Sequence, residues 1–282
     1  MRTTVETGKG GGVSGNGSLD VFNDDDRRGR FSTSLRTGLL ILASFDAEHP
    51  TRGIANLSDH LGLGRSTIHR YTTTLAALGY LEQGTSRKYR LSSRVADFGI
   101  AALESLALRR DAAGHMRDLR DRCGHTSGLS VLEGGETLYV EYLRGHRRGQ
   151  YAIDAGIGLG LRLPPHCTAA GKVLLAYLPE GERQRALAEI TLTRRGPKTI
   201  KGKRAFLAEL ESVREQGLAI EDEELAKDRR AIAVPVLGED ESVIGAIDVA
   251  VPAETYPSEE LADRLAVPMT AAATRISADY EP

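Results

Sequence analysis

Two glycines separated by one residue, Gly62 and Gly64, constrain the fold most, because they place a tight turn between two helical segments. Apolar residues recur at helical spacing on both sides of this turn, which predicts helices over residues 55–61 and 65–78. Another amphipathic segment precedes them, and Gly79 ends the last helix before two short β segments. The order helix, helix, glycine turn, helix, β-hairpin predicts a winged helix-turn-helix over residues 31–91.

Apolar stripes define the sides of the first and third helices that we expect to face a common core. The first helix is predicted to run from Ser34 to about Ala47. The stripes consist of Leu35, Leu39, Leu42 and Phe45 in the first helix and of Ile68, Tyr71, Leu75 and Leu78 in the third.

The outward side of the third helix carries hydrogen-bonding side chains and no acidic residue. With Ile68 as the buried direction, Ser66 and Arg70 lie ~160° away and Thr73 lies ~140° away, at ~100° per residue. Such side chains bind phosphates and base edges, and this helix enters the major groove in helix-turn-helix proteins. The predicted DNA-binding residues are Arg65, Ser66, Thr67, His69, Arg70 and Thr73 in the helix and Arg87, Lys88 and Arg90 in the wing.

Length and charge favour a second domain of a different kind. The chain has 282 residues, and a domain typically has about 100–200. Residues 31–91 carry a net charge of +3 and residues 92–282 a net charge of −5, so the basic character is local. The two cysteines cannot build a disulfide framework, and no apolar run is long enough to span a membrane or to serve as a secretory signal. We therefore expect a cytoplasmic protein with no membrane partner, and nothing in the sequence calls for a cofactor.

The rest of the chain is predicted to form an α+β fold. Residues 1–30 are rich in glycine and are expected to be a disordered tail, and residues 92–113 a single connecting helix. Residues 114–282 form the second domain, with a mostly antiparallel sheet and flanking helices. Its predicted strands are 129–132, 137–143, 150–153, 231–237 and 243–251, and its predicted helices are 166–178, 182–189, 203–216 and 258–277.

Three blocks of sequence, in this order and spacing, resemble the IclR family of bacterial transcription regulators over roughly residues 34–280. The first block is 53–83 with 88–95, the second is 161–179, and the third is 217–236 with 243–253. The resemblance implies a winged helix-turn-helix, a linker helix and a GAF-like effector domain with a curved sheet. It also implies a homodimer or a dimer of dimers on palindromic operator DNA, and we expect a repressor of a catabolic or metabolic operon.

The same resemblance implies a site for a small metabolite, an aromatic or other organic acid being our expectation. A helix N-terminus with small side chains, here at 169–171, favours an anion because its backbone N–H groups are free. The implied effector-binding residues are Ala169, Ala170, Gly171, Glu221, Ala231, Asp248 and Ala250.

Asp248 departs from the pattern of some family members, which have a serine at this position. Strand alternation places Asp248 among small apolar neighbours, where an ionised carboxylate requires a partner. Arg229 or Arg230 is one candidate partner, in a structural ion pair. A hydroxyl or amine of the ligand is the other.

Three other functions compete with the regulator hypothesis. His166 and Cys167 suggest a nucleophile beside a base, but adjacent residues rarely orient onto each other, so we predict no catalytic residue and no enzyme. His166, Cys167 and the run 221–224 offer possible ligands to a metal-responsive regulator. No pair of them has a clustered zinc-type spacing, and such a run is more often a solvated charged loop, so we predict no metal site. A non-DNA-binding interaction protein is disfavoured by the intact outward face of the third helix.

Overall fold

A computed structural model describes residues 32–46, 48–147, 149–153 and 156–281 of the chain. It divides into two compact units, Met1–Ala101 and Ala102–Pro282. The tail predicted over residues 1–30 lies outside the described residues. None of the helices described is long and apolar enough to cross a membrane.

The first unit contains three helices and a hairpin in the predicted order. Its elements are α1 (Thr33–Ala43), α2 (Ile54–Leu61), α3 (Arg65–Ala77), β1 (Leu81–Gln83), β2 (Tyr89–Leu91) and the start of α4 (Arg94–Glu104). Gly62 ends α2 with a φ of 65°, a left-handed conformation that glycine adopts without steric cost. Gly64 is the N-cap of α3. The glycine turn therefore connects the two helices of a helix-turn-helix, and β1 and β2 form the wing.

Side chains from all three helices and the wing form one core. Ile41, Leu57 and Ile68 are fully buried, one from each helix. Arg52 and Tyr89 exchange two backbone hydrogen bonds of 2.9 and 2.8 Å, which add a third short segment to the wing hairpin. The wing is therefore joined through backbone to the segment just before α2, and through side chains to the core that the helices share.

Three leucines that the helical spacing assigned to the apolar stripes are exposed instead. Leu78 is 53% exposed because α3 ends one residue before it. Thr72 is buried on α3, and its hydroxyl donates to the Ile68 carbonyl oxygen at 2.9 Å, which satisfies it inside the helix. Leu35 and Leu39 are 64% and 57% exposed, so α1 has an apolar side that this unit does not cover.

Two predicted helices are interrupted at serine residues. α1 ends before Ser44, whose hydroxyl donates to the Ile41 carbonyl oxygen at 2.7 Å. The helix predicted over 92–113 is two helices, and the hydroxyl of Ser105 donates to the Ala102 carbonyl oxygen at 2.7 Å where the first one ends. Serine competes with the helix for backbone groups, which explains both breaks.

The second unit is a six-stranded antiparallel sheet with helices on both faces. Its elements are α5 (Ala107–Cys123), β3 (Thr126–Glu133), β4 (Glu136–Leu143), α6 (Gln150–Ile153), β5 (Arg162–Leu163), α7 (Ala169–Tyr177), α8 (Glu180–Glu189), α9 (Lys203–Gln216), β6 (Ala219–Asp222), β7 (Arg229–Leu237), β8 (Val243–Pro252) and α10 (Leu261–Asp279). The strand order is β5-β4-β3-β8-β7-β6, and all neighbours are antiparallel.

The two faces of the sheet differ in the size of their side chains. Leu129, Val234 and Ile247 are large apolar residues that pack with α5 and α10. The alternate residues of the same strands face α7 and α9, and many of them are small, such as Ala231 and Ala246. Small side chains let α7 approach the sheet backbone closely.

Two predicted elements of this unit need correction. Residues 150–153 form the short helix α6 rather than a strand, and a segment of four residues is too short for its periodicity to decide. The helix predicted over 166–178 begins only at Ala169, because Thr168 is its N-cap and the residues before it form a 3₁₀ turn.

Candidate functional site

The exposed side of α3 is the candidate DNA-reading surface. Arg65, Ser66, His69, Arg70 and Thr73 are all exposed, as the helical geometry predicts, and Thr67 is half-buried. No acidic residue lies in α3, and its N-cap Gly64 provides no side-chain hydrogen bond, so the positive end of the helix dipole is open.

An aromatic ring on the same helix contacts the central arginine of this surface. The guanidinium carbon of Arg70 lies 5.4 Å from the centroid of the Tyr71 ring, a cation–π distance. Hydrogen bonds from Ser34 and then Arg70 hold the pKa of Tyr71 below its ordinary value. The ring therefore links Arg70 to α1.

The wing offers two cations without a carboxylate partner among the described residues, Arg87 and Lys88. Arg90 instead donates from Nε and Nη2 to Glu82 Oε2 at 2.9 and 2.7 Å, so a phosphate would compete with this carboxylate. Arg87 has a φ of 57°, and the Gln83 amide donates to its carbonyl oxygen at 3.5 Å. The wing tip is thus shaped to project Arg87 and Lys88.

A groove of about 520 Å³ lies between α3 and the wing. His69 and Thr73 line it from the helix and Arg87 from the wing, so it joins residues that the sequence assigned separately to DNA binding. Gln83 also lines it and is exposed. Sequence reasoning missed Gln83, although a polar residue beside a predicted wing turn was a usable signal.

The predicted effector residues of α7 face the sheet. Ala169, Ala170 and Gly171 are buried, and the two alanines pack in one cluster with Ala231 and Ala250. The Gly171 amide donates to the Thr168 hydroxyl at 3.1 Å. Four of the seven predicted effector positions therefore belong to one buried cluster.

Asp248 lies beside a buried arginine and a buried tyrosine. Its Oδ2 atom is 4.0 Å from Arg229 Nη2 and accepts from the Tyr139 hydroxyl at 3.4 Å. Burial raises the pKa of Tyr139 well above its ordinary value, and the negative charge of Asp248 is the second cause. Of the two arginines that the sequence offered, Arg229 is the neighbour, because Arg230 pairs with Asp222 at 2.5 Å. Sequence reasoning missed Tyr139.

Glu221 is fully buried and pairs with the same arginine. Its Oε2 atom bonds to Arg229 Nη1, and its Oε1 atom accepts from the amides of Glu224 and Leu225 at 2.8 and 3.1 Å. Burial raises the pKa of Glu221, and Arg229 opposes that shift. A solvated charged loop was expected over 221–224. This expectation is wrong for Glu221 and Glu224, whose side chains are buried.

A buried lysine joins this loop to α7. Lys172 Nζ donates to Glu209 Oε1 at 2.8 Å, to the Ile220 carbonyl oxygen at 2.9 Å and to Glu224 Oε1 at 2.5 Å, which uses all three of its protons. Burial works to lower the Lys172 pKa, but Glu224 and Glu209 outweigh it and raise the pKa. Burial raises the pKa of Glu224 to about 7.

The residues proposed for catalysis or metal binding do not converge on a reactive centre. His166 Nε2 lies 2.9 Å from the Thr193 carbonyl oxygen, and the Cys167 thiol donates to the Pro164 carbonyl oxygen at 3.5 Å. Burial raises the pKa of Cys167 to about 12, so it stays a thiol. Within the described ranges, no three His, Cys, Asp or Glu side chains are placed to hold a metal ion.

Family models cover both units. Residues 34–84 match the IclR helix-turn-helix domain, and residues 100–278 match the bacterial transcriptional regulator IclR C-terminal domain. These matches confirm the α+β fold with an N-terminal helix-turn-helix, and they identify a DNA-binding regulator rather than an enzyme.

Known proteins agree with these matches. The HTH-type transcriptional regulator XynR of Escherichia coli K12 is 34% identical over 231 residues, which cover 82% of this chain and 90% of XynR. A solved structure of a candidate transcriptional regulator from Rhodococcus sp. RHA1 has a TM-score of 0.78 and 30% identity, covering 89% of this chain and 98% of that one. An IclR homologue from Microbacterium hydrocarbonoxydans, solved with 4-hydroxybenzoate, has a TM-score of 0.73 and 25% identity over 88% of this chain and 99% of its own. The chain belongs to the IclR family of bacterial transcriptional regulators.

Proposed function

We propose that this chain represses a catabolic or metabolic operon by binding a palindromic operator, and that a small organic effector controls that binding. The acid-free, exposed side of α3, which shares a groove with the wing, is the observation that carries the proposal. Because operator DNA lies in the bacterial cytoplasm, the protein acts there.

In this proposal the domains have separate tasks. Residues 31–91 bind DNA, residues 92–113 link the domains, and residues 114–282 bind the effector and support oligomerisation. Arg65, Ser66, Thr67, His69, Arg70 and Thr73 read the operator, and Arg87, Lys88 and Arg90 bind its phosphates.

Two copies are needed to read a palindrome, because each copy reads one half-site. Exposed apolar side chains of the first unit supply a surface for a second copy of this chain. They are Leu35 and Leu39 on α1, Leu78 at the end of α3, and Phe98 and Ile100 on α4. A homodimer, or a dimer of dimers, would bury them.

The effector site lies between the start of α7 and the sheet, at Ala169, Ala170, Gly171, Glu221, Ala231, Asp248 and Ala250. Backbone N–H groups at the start of α7 favour an anionic group, which supports an organic acid. The binding of 4-hydroxybenzoate by one structural neighbour makes aromatic acids one class to test.

A titration of the full chain against the DNA upstream of its own gene tests the proposal, at several salt concentrations and with excess random DNA. We expect tight binding that resists the competitor and that an added organic acid weakens. Binding no tighter than to random DNA, at that site and across a pool of genomic fragments, would overturn the assignment of a sequence-specific regulator.

A further inference from the structure

A row of buried polar side chains crosses the sheet on the face that α7 covers. Each of five adjacent strands contributes one member, and none is more than 2% exposed. The members are Tyr139 on β4, Ser130 on β3, Asp248 on β8, Arg229 on β7 and Glu221 on β6. We call this set the polar row. A sheet face under a helix is normally apolar, so five polar residues there need an explanation.

Strand register places these residues on one face. Ser130 pairs with Tyr139 on one side and with Ala246 on the other, and Asp248 lies two residues beyond Ala246. Residues directly opposite in antiparallel strands share a face, as do residues two apart along a strand. The Ser130 hydroxyl therefore belongs to the same face as the Asp248 carboxylate, one diagonal step away.

Two atoms of the polar row have no hydrogen-bond partner among the described residues. They are the Ser130 hydroxyl oxygen and Arg229 Nε, and both are buried. More than about 90% of buried polar groups in folded proteins are hydrogen-bonded, to protein or to a bound molecule. A buried hydroxyl without a partner does not by itself mark a ligand, because Ser127 on the other face of β3 has one too in the described part of the chain. The position of the two unmet groups beside the predicted effector residues is what points to a ligand that supplies the missing partners.

The charges of the polar row select the chemistry of that ligand. Glu221 and Asp248 offer two carboxylates against the single guanidinium of Arg229, so a ligand carboxylate placed here meets repulsion. A hydroxyl group avoids this conflict because it donates to a carboxylate and accepts from a guanidinium or a serine. A carboxylate oxygen accepts more than one hydrogen bond, so Asp248 can bind a ligand hydroxyl while Tyr139 donates to it.

An acid group of the same ligand has a separate place at the start of α7. The first N–H groups of a helix have no partner within the helix. Ala169 and Ala170, the first two residues of α7, are buried in the cluster that packs on the sheet. An aromatic acid would place a flat apolar ring against the polar row and would bring few hydroxyl groups to it.

We propose that the effector is a polyhydroxylated carboxylic acid of the aldonic-acid class, with its hydroxyl groups on Ser130, Arg229 and Asp248 and its carboxylate on the backbone of Ala169 and Ala170. This inference rests on the proposed function, which requires an effector in this site but does not specify its chemistry.

The chain contains a matched control for the Ser130 hydroxyl. Ser127 lies on the same strand, is equally buried, and also has a hydroxyl without a partner among the described residues. It pairs with Val249, which packs with α5 and α10, so its side chain lies on the opposite face of the sheet. The Ser127→Ala substitution therefore removes the same group at a position that the ligand does not reach.

Calorimetric titration of the full chain tests the proposal, with gluconate, galactonate and arabinonate as probes. 4-Hydroxybenzoate and the neutral polyol glucitol are the comparison ligands. We expect at least one aldonate to bind about tenfold or more tightly than either comparison ligand. Ser130→Ala should weaken that binding about tenfold, whereas Ser127→Ala should leave it within twofold. Tyr139→Phe, which keeps the ring, is a second variant whose binding should also weaken.

Two results would overturn the proposal: no binding by any of the three aldonates, or equal effects of Ser130→Ala and Ser127→Ala. Thermal unfolding of each variant excludes loss of fold as the cause. Operator binding, measured in parallel, separates this inference from the proposed function. If 4-hydroxybenzoate but no aldonate releases the operator, the effector class is wrong and the regulator stands. If the operator is not bound at all, the proposed function fails whatever the ligand.

Discussion

Gly128 has no side chain, and this absence leaves room for two buried side chains, Asp248 and Tyr139, to meet. A Cβ atom there would lie 2.5 Å from Asp248 Oδ1 and 2.6 Å from Tyr139 Cε1, both far inside contact distance. Gly128 is directly opposite Asp248 in the sheet. The glycine therefore lets the tyrosine ring cross β3 and reach the carboxylate.

We expect Gly128→Ala to lower the free energy of unfolding by about 1–3 kcal/mol, because the new methyl group must displace a packed ring and a buried carboxylate. Chemical denaturation of the full chain measures this. Gly114→Ala is the control, since Gly114 lies within α5 with open space around its Cβ, and alanine there should be neutral or stabilising by up to about 1 kcal/mol. Equal effects of the two substitutions would contradict the crowding argument.

Glu224 makes the stability of the second unit depend on pH. Its pKa is about 7 in the folded chain against an ordinary value of 4.5, because burial outweighs the attraction of Lys172. The folded chain therefore binds this proton more tightly than the unfolded chain does. The free energy of unfolding must then fall as the pH rises from about 4.5 to about 7.

We expect Glu224→Gln to remove this dependence while keeping an acceptor for Lys172. We compare the free energy of unfolding of the variant with that of the parent at each pH. This difference should favour the variant more at pH 8 than at pH 5, by a margin on the order of 2 kcal/mol. Glu209 on α9 and Glu221 on β6 also face this group, so both remain in the variant. Glu215→Gln, on the exposed side of α9, should show no such difference. A constant stability offset across this pH range would contradict the assigned shift.

At the scale of elements, the recognition helix and the wing should contribute differently to DNA binding. A side chain that reads a base edge contributes specificity, whereas one that binds phosphate contributes affinity on any sequence. The exposed position of Arg70, beside the Tyr71 ring, suits the first task, and Lys88 at the wing tip suits the second.

We therefore expect Arg70→Ala to cost about 1–3 kcal/mol on the operator and much less on random DNA. Lys88→Ala, its control, should weaken binding to both and reduce the salt dependence by about one counterion per half-site. Titrations on operator and random DNA at several salt concentrations measure both. Equal weakening by Arg70→Ala on the two DNAs would place Arg70 on phosphate, and an unchanged slope would remove Lys88 from the contacts.

Amphipathic periodicity and glycine stop signals predicted helix bounds well wherever the pattern in the sequence was long. The helix over 203–216 has the predicted bounds, because an amphipathic pattern ends at Gly217, which adopts a left-handed φ of 73°. The helix-turn-helix was equally clear from its glycine turn. A four-residue segment such as 150–153 has too few residues for a period, so α6 was predicted as a strand.

The candidate site was only partly predictable because its contacts depend on sheet register. Pairing of Glu221 opposite Ala231 brings Glu221 next to Arg229, two residues away on β7. A register shift at Leu129/Ser130 sets which residue of β4 lies beside Ser130. Periodicity shows which residues share a face of one strand, but not which residue of the next strand stands opposite. Tyr139 and the pairing of Arg229 with Glu221 were therefore missed, and Arg229 could not be told from Arg230 as the partner of Asp248.

At the scale of the whole molecule, the chain combines a basic DNA-binding segment with a larger acidic remainder. Residues 31–91 have a net charge of +3 and residues 92–282 one of −5. Phosphate contacts are therefore concentrated in the winged helix-turn-helix, where a single copy offers a small number of them. In the proposed palindromic mode one half-site supplies limited affinity, and a second copy on the other half-site supplies the rest.

The exposed leucines of α1 provide the test of that requirement. We expect the double substitution Leu35→Ser with Leu39→Ser to remove apolar area from the surface that we propose joins two copies, and thus to weaken binding to a palindromic operator about tenfold or more. Binding to an isolated half-site should stay unchanged, because α1 does not carry the reading surface. Leu159→Ser is the control, since Leu159 is 47% exposed in the second unit. If the double variant binds the palindrome as tightly as the parent does, these leucines do not join the two copies.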